Sequence, residues 1–326
     1  MDDGLDLMLL PAAVSPLVAG EVAGTPRRCR VLAAFPTCLY LDLGAHERVL
    51  AVLASDAVAL PIGVRLALPS TEVRWGVEPG GHVVVGEGRV RLPRADVVAA
   101  RLLRPARVRP APRGSAGDGW LPEPGVLGDL AHDLAAVALA GRSTDPGVRG
   151  LVGVGRGLTP SGDDALCGVL LTLAAIDAPQ SRRALSAVRT AVRTVLPWTT
   201  SLSAALLVAA GAGYAVPDVA RLLTRLVSGP GSTKRSAGAT AGPNRAAAPS
   251  SLLVDPPEGS GRTDLSNFSD FSDLVDRVLS IGHTSGRDLL SGVSGALRAV
   301  DAVESSPDPA PRPAPRPESQ EGLHRA

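Results

Sequence analysis

GVGRGLTPSGDDALCGVLLTLAAI, residues 153 to 176, is the stretch on which the reading of this chain turns. Glycines at 153, 155, 157 and 162 and the turn Thr159-Pro160-Ser161 lead into Asp163-Asp164 and then an apolar segment of helical length. A second stretch repeats it. Ser161-Gly162-Asp163-Asp164-Ala165-Leu166-Cys167-Gly168-Val169 aligns without gaps on Ser285-Gly286-Arg287-Asp288-Leu289-Leu290-Ser291-Gly292-Val293, both of the form S-G-x-D-x-L-x-G-V. A serine that accepts from the third helical N–H, with an aspartate three residues on reaching back, is the acidic form of a capping box. That makes Asp164 and Asp288 structural caps. Gly168 and Gly292 then fall one to two turns inside their helices. Glycine there costs about 1 kcal/mol against alanine, so a close approach of another helix is the expected reason.

The flanks carry more than caps require. Gly153-Val154-Gly155-Arg156-Gly157 precedes the first start, and Gly282-His283-Thr284 sets an imidazole beside the second. Arg287 stands in the first helical turn, where a cation opposes the helix dipole unless an anion faces it. The two starts are therefore expected to be halves of one anion site, with backbone N–H groups as donors. Asp163 remains open between substrate amide, solvent and metal. It is the one candidate metal ligand, with no other oxygen ligands identifiable; no cofactor is expected beyond a divalent cation at that position.

Other motifs fail on chemistry. Gly153-x-Gly155-x-Gly157 lacks the glycine spacing and the strand–helix–strand setting of a dinucleotide fingerprint. Gly157 to Gly162 has P-loop glycine spacing, but Asp163-Asp164 follow where lysine and a hydroxyl are needed. Ser161 lies in no nucleophile elbow, and the histidines at 46, 82, 132, 283 and 324 include no i, i+4 zinc pair.

Composition narrows the class. The chain has 326 residues, 45% hydrophobic but only 2% aromatic, so its core must be Leu, Val and Ala. Scarce aromatics argue against single-stranded nucleic acid, and a net charge of +1 argues against a strong field for nucleic acid or an anionic membrane. Cys29, Cys38 and Cys167 form no disulfide or zinc pattern. The acidic start MDDGLDLMLLP lacks a signal-peptide n-region, and no run reaches the roughly 18 apolar residues of a membrane span. A cytoplasmic protein is expected.

The fold class is α+β: a small β-rich N-terminal domain, 1–104, then a Pro/Gly/Arg-rich linker, 105–123, and a helical domain, 124–304. Short apolar runs at Arg30 to Ala34, Cys38 to Leu43 and Arg48 to Ala54, with a hairpin turn at Gly86-Glu87-Gly88, predict a small sheet or barrel. Ala95 to Leu103 reads as a short helix or a connecting strand. Helical spacing predicts six or seven helices after 124. Residues 228–263, poor in large apolar side chains, read as a disordered insertion, and 305–326 as a Pro-rich tail.

The glycine-rich motif resembles the signature of a bacterial family of unassigned function that includes the H-type subunit of oxamate carbamoyltransferase, encoded in allantoin-degradation operons. Thr200-Ser201-Leu202-Ser203 resembles that family's T-x-L-S helix head, and Ile281 to Leu290 its G-H-[ST]-S-G-x-D-x-L segment. Arg156 stands where the family often has proline, and the long insertion is unusual. The resemblance covers roughly 15 to 303 without the insertion.

The resemblance implies carbamoyl transfer between oxalurate or oxamate and phosphate or carbamoyl phosphate, with partner subunits. On that footing His283, Arg287 and Asp163 are the catalytic candidates. His283 serves as proton donor or carbonyl polariser, Arg287 pairs a substrate carboxylate, and Asp163 meets an amide. Gly155, Gly157, Thr159, Ser161, Gly162, Thr200, Ser203, Thr284, Ser285 and Gly286 are the ligand-binding candidates. A noncatalytic anion-binding or scaffold subunit is the competing reading.

Overall fold

Alternating apolar residues between 27 and 98 build strands, and the strands close on themselves. The computed structural model describes residues 8–114, 121, 123–229 and 265–305, with only the backbone for 265–270. Strands β1 (Met8–Val14), β2 (Arg27–Phe35), β3 (Cys38–Asp42), β4 (Val49–Leu53), β5 (Gly63–Leu66), β6 (His82–Gly86), β7 (Arg89–Arg91) and β8 (Ala95–Leu102) form a closed barrel in the order β1-β5-β4-β3-β2-β6-β7-β8. Parallel pairing of β1 with β8 closes it. Closure removes the edges that a small open sheet would leave unpaired. A short helix, α1 (Ala19–Ala23), follows β1.

The β6–β7 turn pairs Gly86 with Arg89, and both turn residues, Glu87 and Gly88, have positive φ. That geometry matches the twist of the flanking strands. Ala95 to Leu102 resolves as strand β8. β1 and β5 have no counterpart in the sequence reading. Pro11 interrupts the pattern of β1, and the β1–β5 ladder begins only at Ala12.

Eight helices follow among the described residues: α2 (Gly125–Leu139), α3 (Asp145–Leu151), α4 (Ser161–Ala175), α5 (Pro179–Val195), α6 (Ser201–Gly211), α7 (Pro217–Ser228), α8 (Leu265–Leu279) and α9 (Ser285–Glu304). The expected six or seven omit α3, whose DPGVRGL is too short and glycine-rich for a periodic signal. Of the expected insertion, residues 230–263 lie outside the described residues, as does 306–326 of the tail. Ser228 ends α7.

Two helices organise the packing. α4 is buried on every side, which accounts for its lack of a polar face. α6 is shared: Ala204, Leu207 and Ala210 join the helical core, while Leu202, Ala205 and Ala209 join the barrel core. Arg107 and Ala111 form isolated bridges to Tyr214 and Ile176, so the chain leaving the barrel runs along the helical region. No helix among the described residues is long and apolar enough to cross a membrane.

Candidate functional site

The repeated S-G-x-D-x-L-x-G-V segments meet. α4 and α9 cross at their glycines. A Cβ on Gly168 would overlap the Leu289 carbonyl oxygen, and one on Gly292 would overlap that of Ala165. Leu289 and Ala165 are equivalent positions of the repeat, so the contact is reciprocal, as about a local twofold axis.

The equivalence continues upstream. Gly162 lies against the Leu151 carbonyl at the end of α3, and Gly286 against the Val278 carbonyl near the end of α8. Val154 N–H donates to Leu151 O, and Ile281 N–H to Val278 O, each at 3.1 Å. Gly162 N–H donates to Val154 O at 2.8 Å, and Gly286 N–H to Ile281 O at 3.0 Å. The repeat is therefore a helix–turn–helix unit, α3–α4 and α8–α9. The first turn is longer by three residues, and the longer turn contains Arg156, Gly157, Leu158 and Thr159.

This geometry corrects the capping expectation. Pro160 and Thr284 occupy the cap positions, and neither start has a side-chain cap bond. Ser161 and Ser285 are the first helical residues instead. The shift of one position exchanges the two aspartates. Asp163 takes the third helical position and turns inward, accepting from Gly153 N–H at 2.9 Å and from the Thr199 hydroxyl. It is 1% exposed. Burial raises its pKa, against the opposing effect of those bonds. Asp163 is thus a tie between the α3–α4 turn and the start of α6, rather than a group facing ligand.

Asp164, expected as a cap, lines a cleft of about 700 Å³ between the barrel and the helices. Its Oδ2 has no hydrogen-bond partner among the described residues. Burial pushes its pKa up to about 7; the neighbouring Ser285 and Thr159 hydroxyls oppose the rise, and the charges of Asp288 and Asp163 add to it. Asp288, its counterpart in the repeat, likewise leaves Oδ2 buried without a partner and does not cap α9.

Thr159 Oγ1 and Ser285 Oγ are 2.9 Å apart, which joins the two turns at the cleft. Of the residues expected at the site, Gly157, Thr159, His283, Thr284, Ser285 and Gly286 line the cleft. Arg156 joins them there. Gly155, Ser161, Gly162, Thr200, Ser203, Asp163 and Arg287 do not. Thr200 instead caps α6, accepting from Ser203 N–H at 3.1 Å, and donates to Leu158 O at 2.5 Å, which holds the loop. Ser203 is buried behind that cap, and Arg287 is exposed on α9 away from the wall.

The expected pair of amide donors is also reduced. Gly162 and Gly286 spend their N–H groups on the preceding turns, and Asp163 and Asp164 theirs on Pro160 O. Among the described residues the Ser285 and Arg287 amides have no backbone acceptor. The polar end of the cleft is therefore the start of α9 with Arg156, His283, Thr159 and Asp164. The rest of the wall is apolar, and the sequence reading missed it because its residues come from the barrel, α6 and α7. Cys167, also on the wall, has its thiol pKa raised well above the usual value by burial. No cluster of three metal-ligating side chains occurs among the described residues.

Residues 151–241 match the family model of oxamate carbamoyltransferase subunit AllH. The matched stretch begins at the last residue of α3 and carries the long turn, α4, α5, α6 and α7. The AllH match thus spans Asp164 and the Arg156–Thr159 turn, whereas the α9 side of the cleft lies beyond it. No curated protein and no solved structure matches the chain.

Proposed function

We propose that the chain is a subunit of an oxamate carbamoyltransferase-like enzyme, moving a carbamoyl group between carbamoyl phosphate and oxamate or, in reverse, between oxalurate and phosphate. The observation that carries this reading is the AllH match over the segment that supplies one side of the cleft. In the forward direction the oxamate nitrogen attacks the carbamoyl carbon, a C–N bond forms, the C–O bond to phosphate breaks, and the nitrogen loses a proton. Negative charge develops on the carbonyl oxygen between these steps. Donors at the start of α9 and the Arg156 guanidinium suit that charge and the anionic ends of the substrates. His283 is the group on the wall suited to take the proton. Asp164, uncharged in part near neutrality, can accept from the carbamoyl N–H and donate to its oxygen.

The test is product formation. Purified chain, alone and with partner subunits, is given carbamoyl phosphate and oxamate, and the ureido product is measured. Product that falls on Arg156→Ala supports the reading. Absence of product in every combination overturns it. A noncatalytic anion-binding subunit is the second reading, favoured by the spent amides and by Arg287 lying off the wall. It predicts thermal stabilisation by phosphate or oxamate without turnover.

A further inference from the structure

The substrates of carbamoyl transfer are compact and polar, whereas the cleft is roomy and apolar beyond its one polar end. Its roughly 700 Å³ falls among sites that enclose drug-sized molecules, about 300–1,000 Å³. The barrel contributes Phe35, Tyr40 and Leu60 to the wall, and α6 contributes Leu202 and Leu206. The chain has only two tyrosines and three phenylalanines, and both tyrosines and Phe35 line this one cleft. Phe35 is 45% exposed at its mouth, and packs edge-on against Tyr40 with ring centroids 6.2 Å apart. Aromatic surface left open to solvent around a concavity marks a place where something apolar sits.

The opposite end holds an unmet polar demand. Asp164 is 7% exposed, the Thr159 and Ser285 hydroxyls stand beside its carboxyl, and its Oδ2, shielded from solvent, has no hydrogen-bond partner among the described residues. Buried polar atoms are normally paired, so a ligand donor is the economical partner. At Asp164 itself, an acceptor oxygen without a partner stands beside the Thr159 and Ser285 hydroxyls, a set that an uncharged head carrying both N–H and C=O would meet.

We infer that the cleft binds an amphipathic amide, with a carboxamide or ureido head hydrogen-bonded to Asp164, Thr159 and Ser285 and an aromatic or branched apolar body between Phe35, Tyr40, Tyr214 and α6. This deepens the carbamoyl-transfer reading by enlarging the class of carbamoyl acceptor, but its grounds are the apolar wall and the unpartnered carboxyl.

Calorimetric titration of the full chain with acetamide, oxamate, benzamide and 3-phenylpropanamide tests it, with methyl benzoate as a control lacking N–H. Each buried methylene should tighten binding about fourfold, so benzamide should bind at least tenfold tighter than acetamide. Phe35→Ser, at a solvent-open position, should leave the fold intact and remove most of that gain. Asp164→Ala should erase the preference for benzamide over methyl benzoate. Benzamide binding no tighter than acetamide, or indifferent to Phe35→Ser, overturns the inference. Carbamoylation of oxamate without benzamide binding sinks this inference and spares the transfer reading. Phe35-dependent benzamide binding without any carbamoyl product does the reverse.

Discussion

Thr159 and Ser285 share a 2.9 Å hydroxyl contact across 126 positions of sequence. The contact joins the long turn before α4 to the start of α9. Ser285→Ala should remove about 0.5–1.5 kcal/mol of stability, read by urea unfolding. It should also weaken ligand binding at the cleft by more than the stability loss alone explains, because the turn loses its anchor.

The glycine crossing is steric and therefore unforgiving. At Gly168 and Gly292 a methyl group meets the backbone of the opposite helix, which has no rotamer to yield. Gly168→Ala and Gly292→Ala should each destabilise by about 1–3 kcal/mol or more, even though alanine is the better helix former. Near-neutral unfolding midpoints for both would refute the close approach.

Asp164 makes stability depend on pH. Its pKa in the folded chain is about 7, above the ordinary carboxylate value of 3.8. Between these values the folded state holds a proton that the unfolded state has lost, so stability falls as pH rises from about 4 to 7 and levels off above. The slope is at most about 1.4 kcal/mol per pH unit from this group. Asp163, raised in the same direction by burial, adds to the fall. Asp164→Asn should flatten the profile of urea midpoints between pH 5 and 8. A profile that rises with pH in wild type would contradict the burial of this carboxyl.

Asp163 has a different role, and its loss should read differently. Asp163→Ala leaves the Gly153 amide and the Thr199 hydroxyl without their acceptor. A loss of about 2–3 kcal/mol is expected, with Asp163→Asn costing less because its carbonyl oxygen still accepts from the amide. Thermal unfolding without ligand measures this directly.

The basic side chains of the two turns and of α9 separate in the same way. Arg156→Ala and His283→Ala should weaken phosphate or oxamate binding, while Arg287→Ala should not, since Arg287 lies off the cleft wall. Comparing the thermal shifts of the three variants with each anion decides this.

Sequence alone determined what is local and periodic. Alternation and turn chemistry marked β2, β3, β4 and the β6–β7 hairpin, and helical spacing marked most of the helices. The S-G-x-D-x-L-x-G-V repeat also showed that two helix starts were built alike, because identical side chains at identical spacing impose the same local geometry. Only the tertiary structure decided which side chains face the cleft. The helices start one residue earlier than the caps suggested, at Ser161 and Ser285. A shift of one residue turns a side chain by about 100° on a helix of 3.6 residues per turn, enough to bury Asp163 and present Asp164. The closing of the barrel and its apolar wall were beyond sequence for the same kind of reason. Pairing β1 with β8, and setting Phe35 and Tyr40 opposite α6, depends on contacts between segments far apart in the chain, and no local pattern encodes them.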